Sequence, residues 1–408
     1  MIMEDISLEI FDPVGVSAQN EEKALAVLEG LPKRPLPAFT HEFKELDILK
    51  KMTSQFKEPR NIVVIGNGGS ITSFAAYYDA LVRYNVPSPK DVFVLNNMEP
   101  DVLSHIRTKF KPQDTLVIPI SKSGNTVGVL EDMLALKDYP MLVVTTPGKG
   151  TMLQMAKAAS WPVLHIPDDI GGRFSGRTHT GYFPAYLCGI DVEGIEAGAK
   201  EATEFCLKNL DLEINLPLQL AYHHYTLEQA GYPQLYLSVY SQRLFGFYPL
   251  IIQLIHETFG KDGVGLTVYG GQGPEAQHHT NQRFFGGKKD THGLFVTVEQ
   301  QDKHVSVAVP ENLRDLKLDN ANLGILNDMD LGRSMTFESQ GVIETAKAKG
   351  IPYAHLKVSK ITPHSIGEFL VFFHFYVYYS AVFRGVNPFD QPAVEDSKKL
   401  SFEMRRKR

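Results

Sequence analysis

Only two cysteines, Cys188 and Cys206, occur in this chain. They form neither a CxxC pair nor a disulfide framework, which excludes disulfide-scaffold classes and fits a reducing, cytoplasmic setting. An excess of positive charge is also lacking: 41 Lys and Arg stand against 47 Asp and Glu, for a formal net charge of -6 and a pI of about 6.2. Such a chain has no general field for nucleic acid or anionic membrane, and neither partner is expected. Its one dense basic run, the terminal "RRKR", reads as a solvated tail. No apolar run reaches membrane-spanning length. "FLVFFHFYVYYSAVF", Phe369 to Phe383, is shorter than the roughly 20 residues required, contains His374, and reads as a buried core helix. The opening "MIMEDISLEIFD" is acidic where a secretion signal would be basic. Low-complexity segments are missing, as is a visible internal repeat.

What is present is alternation. Hydrophobic residues make up 43% and charged residues 22% of 408 residues, enough for large cores and more than one core usually serves, so two domains are expected. From Asn61, runs such as "IVVI", "VFVLNN", "TLVIPI", "MLVVTT" and "VLHIP" alternate with helical stretches. Strands without polar alternation are buried on both faces, which predicts an α/β protein with a doubly wound parallel sheet. After a helical connector, "QLYLSVY", "GLTVYG", "LFVTVE", "VSVAV" and "YAHLKV" repeat the pattern. The expected organisation is an N-terminal helical extension over 1–60, a first α/β domain over 61–195, a second over 196–385, and a C-terminal segment over 386–408.

Ligands of such folds sit beyond the carboxyl ends of the strands, where glycine-rich turns open helices. "VVIGNGGS" places Gly66, Gly68, Gly69 and Ser70 there. Glycines permit a tight turn, and the N–H groups of the next helix can hold an anion. The loop has neither a well-placed GxGxxG nor a GK[ST] ending, which argues against dinucleotides and nucleoside triphosphates. "PISKSGNT" follows another strand and offers the hydroxyls of Ser121, Ser123 and Thr126, the charge of Lys122 and the turn of Gly124. One hydroxyl would be ordinary capping, but three so close favour a phosphate. A phosphorylated metabolite is the implied ligand.

Two further stretches bear on chemistry. "DDIGGRFSG" places Arg173 behind two glycines, able to approach a ligand or to pair with Asp168 or Asp169. "YPLIIQLIHETFGKDG" predicts an amphipathic helix with Leu250, Ile251, Leu254, Ile255 and Thr258 on a broad apolar stripe. Gln253 and Glu257 lie i,i+4 on another face beside His256, and no Lys or Arg shares it. So narrow a polar stripe suits a carboxylate in a cleft. Farther on, "GQGPEAQHHTNQ" holds His278 and His279, but adjacent histidines are a poor zinc signature, so no metal is expected.

These blocks in this order resemble the glucose-6-phosphate isomerase (phosphoglucose isomerase) family of the two-domain sugar-isomerase (SIS) fold. "GNGGS", "SKSGNT", "GGRFS", "ETFGKDG" with "GPEAQH", and "NPFDQPAVEDSKK" together span most of the chain. The resemblance implies two mainly parallel sheets of flavodoxin-like topology flanked by helices. It implies Glu257 as the base that moves a proton between C1 and C2, Arg173 beside the reacting carbons, His278 for ring opening and Lys398 near the ring oxygen. By the same resemblance Gly69, Ser70, Ser121, Lys122, Ser123 and Thr126 belong to the phosphate-binding segments, and Gln253 and Gln391 are binding glutamines. The family is cofactor-free, serves glycolysis and gluconeogenesis, and is dimeric with the histidine supplied by the partner subunit. Asn67, Asn125, Gly176, Arg177 and Ala393 depart from the family's usual residues and leave the catalytic set intact. Two alternatives are an isomerase of aminosugar phosphates and a non-catalytic sugar-phosphate sensor, which would need the hydroxyl loop but not Glu257.

Overall fold

The computed structural model describes residues 3–19, 27–84 and 90–407. Its strands in chain order are β1 (Ile6–Phe11), β2 (Asn61–Ile65), β3 (Asp91–Leu95), β4 (Thr115–Ser121), β5 (Val143–Thr145), β6 (Val163–His165), β7 (Gln234–Tyr240), β8 (Thr267–Gln272), β9 (Thr291–Gln300), β10 (Lys317–Leu318), β11 (Ala321–Asn322) and β12 (Tyr353–Lys360). One five-stranded sheet has the order β3-β2-β4-β5-β6, parallel throughout. The other has the order β1-β12-β9-β7-β8, parallel except at the β1 edge.

The two halves share no visible sequence repeat, yet their parallel strands follow one winding rule. In each sheet the second strand and the third flank the first, and later strands are added outward. That is the flavodoxin-like order the family resemblance implies, built on the parallel strands the apolar runs predict. It puts a topological switch point between β2 and β4, whose following loops are "GNGGS" and "SKSGNT".

Helices cover the sheets, and one of them ties the halves together. Pro363–Arg384 begins with a reciprocal cap, in which the Thr362 hydroxyl accepts from Ser365 N and the Ser365 hydroxyl accepts from Thr362 N. Every residue from Ser365 to Phe383 is buried. The run Phe369–Phe383 is expected to be too short for a membrane, yet the helix built on it extends over Pro363–Arg384 and is long and apolar enough to cross one; here its surroundings are protein, since it packs on helices Val192–Lys208, Leu216–Gln229 and Tyr248–Phe259. A single apolar cluster runs from Ile62 and Val64 of β2 through Phe369 and Tyr376 to Leu237 and Leu294 of the second sheet.

Two expectations differ from the structure. The extension over 1–60 was expected to be helical, but Ile6–Phe11 is a strand that pairs antiparallel with β12. Backbone donors fix its start, since Glu368 accepts from Glu4 N at 3.2 Å and Asp5 N at 3.0 Å. Residues 1–2 and 20–26 of that extension lie outside the described residues, as does Arg408 of the basic tail. "VSVAV" was expected to be a strand, but it makes only a bridge between Ser306 and Asp330. Val305 there is 55% exposed, so the alternation lacks a sheet face to bury.

Candidate active site

The loop after β2 packs directly on the loop carrying Arg173. A Cβ on Gly69 would stand 2.3 Å from the Gly172 carbonyl and 2.5 Å from Arg173 N, so only glycine fits. Ser175 closes the same contact, its hydroxyl donating to Gly172 O at 2.7 Å and approaching Gly69 O at 3.3 Å. The departure at Arg177 has a structural account. Arg177 is buried and paired with Glu196 through Nε–Oε2 at 3.1 Å and Nη2–Oε1 at 2.6 Å, fastening the far end of the Gly172–Arg177 turn to the connector helix.

Arg173 itself is buried and uses all five N–H donors. Nε donates to Thr258 Oγ1 at 3.0 Å. Nη1 donates to Glu257 Oε2 at 3.1 Å and Gln391 Oε1 at 2.8 Å, and Nη2 to the carbonyls of Pro388 at 2.6 Å and Asp390 at 3.1 Å. Asp168 and Asp169, the alternative partners in its own turn, are engaged elsewhere: Asp168 with Lys149 at 2.9 Å and Asp169 with His41 at 3.8 Å. Burial lowers the Arg173 pKa from its ordinary value, and the Glu257 carboxylate opposes that pull.

Glu257 sits on helix Tyr248–Phe259, which has Pro249 in its first turn and buries Leu250, Ile251, Leu254, Ile255, Thr258 and Phe259. The apolar stripe was therefore legible in the sequence, but Thr258 also serves as the acceptor that orients Arg173. Glu257 is held at both oxygens, Oε2 by Arg173 and Oε1 by Gln253 Nε2 at 3.0 Å. Gln253 in turn meets Thr72 of the first sheet's layer, Thr72 Oγ1 donating to Gln253 Oε1 at 3.2 Å. His256 stands apart and exposed, receiving only a long contact from Val268 N at 3.5 Å.

The loop after β4 forms a compact hydroxyl cluster. Ser121 Oγ and Thr126 Oγ1 are 3.0 Å apart, Gly124 N donates to Ser121 Oγ at 3.2 Å, and Asn125 N donates to Ser123 Oγ at 3.2 Å. Gly124 has φ of +63°, which a side chain would strain. Asn125 departs from the family but has a clear job: its Oδ1 accepts from Thr151 N at 2.9 Å, tying this loop to the first residue of helix Thr151–Ala159. Lys122 is half-buried, and burial lowers its pKa while Asp168 counteracts that shift.

His278 and Lys398 are not brought to Glu257 within this chain. His278 ends the exposed turn Glu275–His278 after β8 and lines a cleft of about 330 Å³ with His279, Asn281, Phe285 and Lys349. Lys398 lies on the exposed helix Glu395–Arg406, is 62% exposed, and donates to Glu395 Oε1 at 2.8 Å. That helix touches the first sheet's layer through Arg405, which pairs with Glu131 at 2.8 and 3.0 Å. The loop before it, in contrast, is clamped. Lys261 Nζ donates to Asn387 O at 2.7 Å, Asp390 O at 2.6 Å and Asp390 Oδ1 at 2.8 Å, which secures the segment carrying Gln391. Thr72, Thr258 and Lys261 were missed from the sequence because their roles depend on contacts between distant segments. Among the described residues, no group of three or more His, Cys, Asp or Glu could hold a metal ion.

The two-sheet architecture is shared with phosphosugar isomerases of the SIS fold. A tagatose-6-phosphate ketose/aldose isomerase from Escherichia coli superposes over 90% of this chain and 95% of its own at TM-score 0.55 and 14% identity. A glucose-6-phosphate isomerase from Chlamydia trachomatis covers 96% of this chain and 74% of its own at TM-score 0.71 and 20% identity. A hypothetical protein from Thermus thermophilus reaches TM-score 0.86 at 24% identity, over 98% and 99% of the two chains. The sequence pattern of the family described as phosphoglucose isomerase matches residues 45–408, and this chain belongs to that family of enzymes. Curated relatives include the glucose-6-phosphate isomerase of Acholeplasma laidlawii, 28% identical over 90% of this chain and 88% of the relative. A probable glucose-6-phosphate isomerase of Methanococcus maripaludis is 27% identical over 89% and 84%.

Proposed function

We propose that this chain interconverts glucose 6-phosphate and fructose 6-phosphate, with Glu257 as the base. The observation that carries this reading is the cluster in which Glu257 is held by Arg173 on one oxygen and Gln253 on the other. A carboxylate so placed takes the proton from C2 of the open-chain aldose and returns it to C1 through an enediolate, while the hydroxyl proton on O2 passes to O1, without any net redox change. The reverse direction exchanges the two carbons.

Arg173 stabilises the charge that develops on the enediolate oxygens. All its donors are already used, so a substrate oxygen has to displace one acceptor; Gln391 Oε1 and Glu257 Oε2 share Nη1 and are the two that face the cluster. Ser121, Ser123 and Thr126 with Lys122, together with Gly69 and Ser70, hold the phosphate and keep the reacting carbons near Glu257. His278 opens the ring and Lys398 steadies the ring oxygen. Both stand exposed in the single chain, and Leu400 and Met404 beside Lys398 are 63% and 72% exposed. These features support a homodimer in which His278 reaches the partner's site. The reading invokes no cofactor and no metal, and it places the enzyme in cytoplasmic glycolysis and gluconeogenesis.

The test is to give fructose 6-phosphate to the purified, chelator-treated protein and follow glucose 6-phosphate through a coupled dehydrogenase. Rapid turnover is the expected result. Turnover only with an aminosugar phosphate, or none with any phosphosugar, overturns the reading.

A further inference from the structure

Thr72 has no part in the sequence motifs that define the site. It is the first residue of helix Thr72–Leu81, directly beyond the glycine loop and therefore in the first sheet's layer. Its hydroxyl nevertheless reaches Gln253 Oε1, on the helix that carries Glu257. We infer that Thr72 is a positioning residue, which fixes the Gln253 carboxamide so that its NH₂ rather than its oxygen faces the base. This deepens the isomerase reading and rests on it for its kinetic consequences.

The argument is one of donor and acceptor matching. A carboxamide offers an oxygen on one side and two N–H donors on the other, and rotation by half a turn exchanges them. Gln253 has Glu257 on one side, a pure acceptor when ionised, and Thr72 on the other. With the hydroxyl donating to Oε1, Nε2 must point at Glu257 Oε1. Turned round, the amide would set its oxygen against the carboxylate, a repulsion that the hydroxyl on the other side, though it could then accept from Nε2, would not relieve. The contact is partly buried, so water only partly replaces a lost partner.

The consequence concerns the balance on the base. Glu257 is shared between a neutral donor, Gln253, and a cationic one, Arg173. Without a fixed Gln253 donor, Glu257 Oε1 loses its own partner, and the carboxylate is drawn toward the guanidinium at the expense of Gln391, which shares Nη1. A base drawn that way is turned from the carbons it has to reach. Thr72 would thus let the first sheet's layer, where the phosphate is held, set the aim of a group on the second.

The experiment pairs kinetics with a signal that needs no substrate. Thr72→Val keeps the shape and removes the hydroxyl; Thr72→Ser restores it. Expected is a fall in kcat of about tenfold for Thr72→Val with KM within about twofold, and kcat for Thr72→Ser within about threefold of wild type. In a Gln253→Met background, Thr72→Val should cost nothing further. Independently, in ligand-free protein labelled with ¹⁵N at glutamine side chains, the Gln253 amide pair should shift as Glu257 is protonated in wild type and Thr72→Ser, and lose that response in Thr72→Val. An unchanged amide response, an equal loss in Thr72→Ser, or an effect on KM alone overturns the inference. If wild type turns over no phosphosugar, the isomerase reading fails, while the amide signal still decides the placement of Thr72.

Discussion

The base and its arginine occupy a saturated cluster, whereas the histidine and lysine assigned to the same reaction stand on exposed turns and helices. Arg173 is buried with its side chain 2% exposed, and Glu257 is 30% exposed. Lys398, at 62%, is paired only with a neighbour on its own helix. On the proposed reading, one chain assembles the proton-transfer half of the site by itself and leaves the ring-opening half unfinished. Proton transfer needs a fixed base and a fixed cation, which interior packing supplies. Groups presented on the outer surface can instead be completed by another copy.

The sharpest break of that comparison falls on the assembled half. Glu257→Gln should lower kcat by about 10⁴-fold while substrate still binds, since general-base removal costs up to that order. Normal turnover in the variant would take Glu257 out of the base role. Next in size is Arg173→Lys, expected to cost roughly 10²- to 10³-fold in kcat. An ammonium cannot reproduce five donors in a planar fork, nor stabilise the enediolate as well. A change confined to KM would show that Arg173 only binds substrate. Smaller again is Lys122→Ala, for which a KM raised by about tenfold with kcat nearly unchanged is expected, because the proposed reading gives it the phosphate and not the reacting carbons. Steady-state kinetics against fructose 6-phosphate separates these three outcomes.

The sequence made much of this architecture legible, and the misses have a common cause. Apolar runs such as "IVVI" and "TLVIPI" announced buried parallel strands, and the spacing of Leu250, Ile251, Leu254 and Ile255 announced the face that helix buries. Both are local periodicities. The β1 edge strand was hidden because its partner, β12, is distant in sequence, and its pattern of exposed and buried residues is weak. "VSVAV" misled for the opposite reason: it has the residues of a strand and no neighbouring strand to pair with. At the site, Glu257, Gln253 and Arg173 could be singled out by residue type and by family resemblance. Thr72, Thr258 and Lys261 could not, since a threonine beside a carboxylate or a lysine after a helix has many ordinary uses. Their roles appear only when the two halves of the chain are folded against each other.

The unfinished half is best tested by making it in hybrid. Glu257→Gln and His278→Ala chains, each with its own affinity tag, would be co-produced and the mixed dimer purified on both tags in turn. If His278 serves the partner's site, one site of the hybrid carries both lesions and the other carries none. The hybrid should then show about half the wild-type kcat per dimer, although each parent dimer is nearly inactive. A hybrid no more active than its parents would place His278 in the site of its own chain and contradict the account.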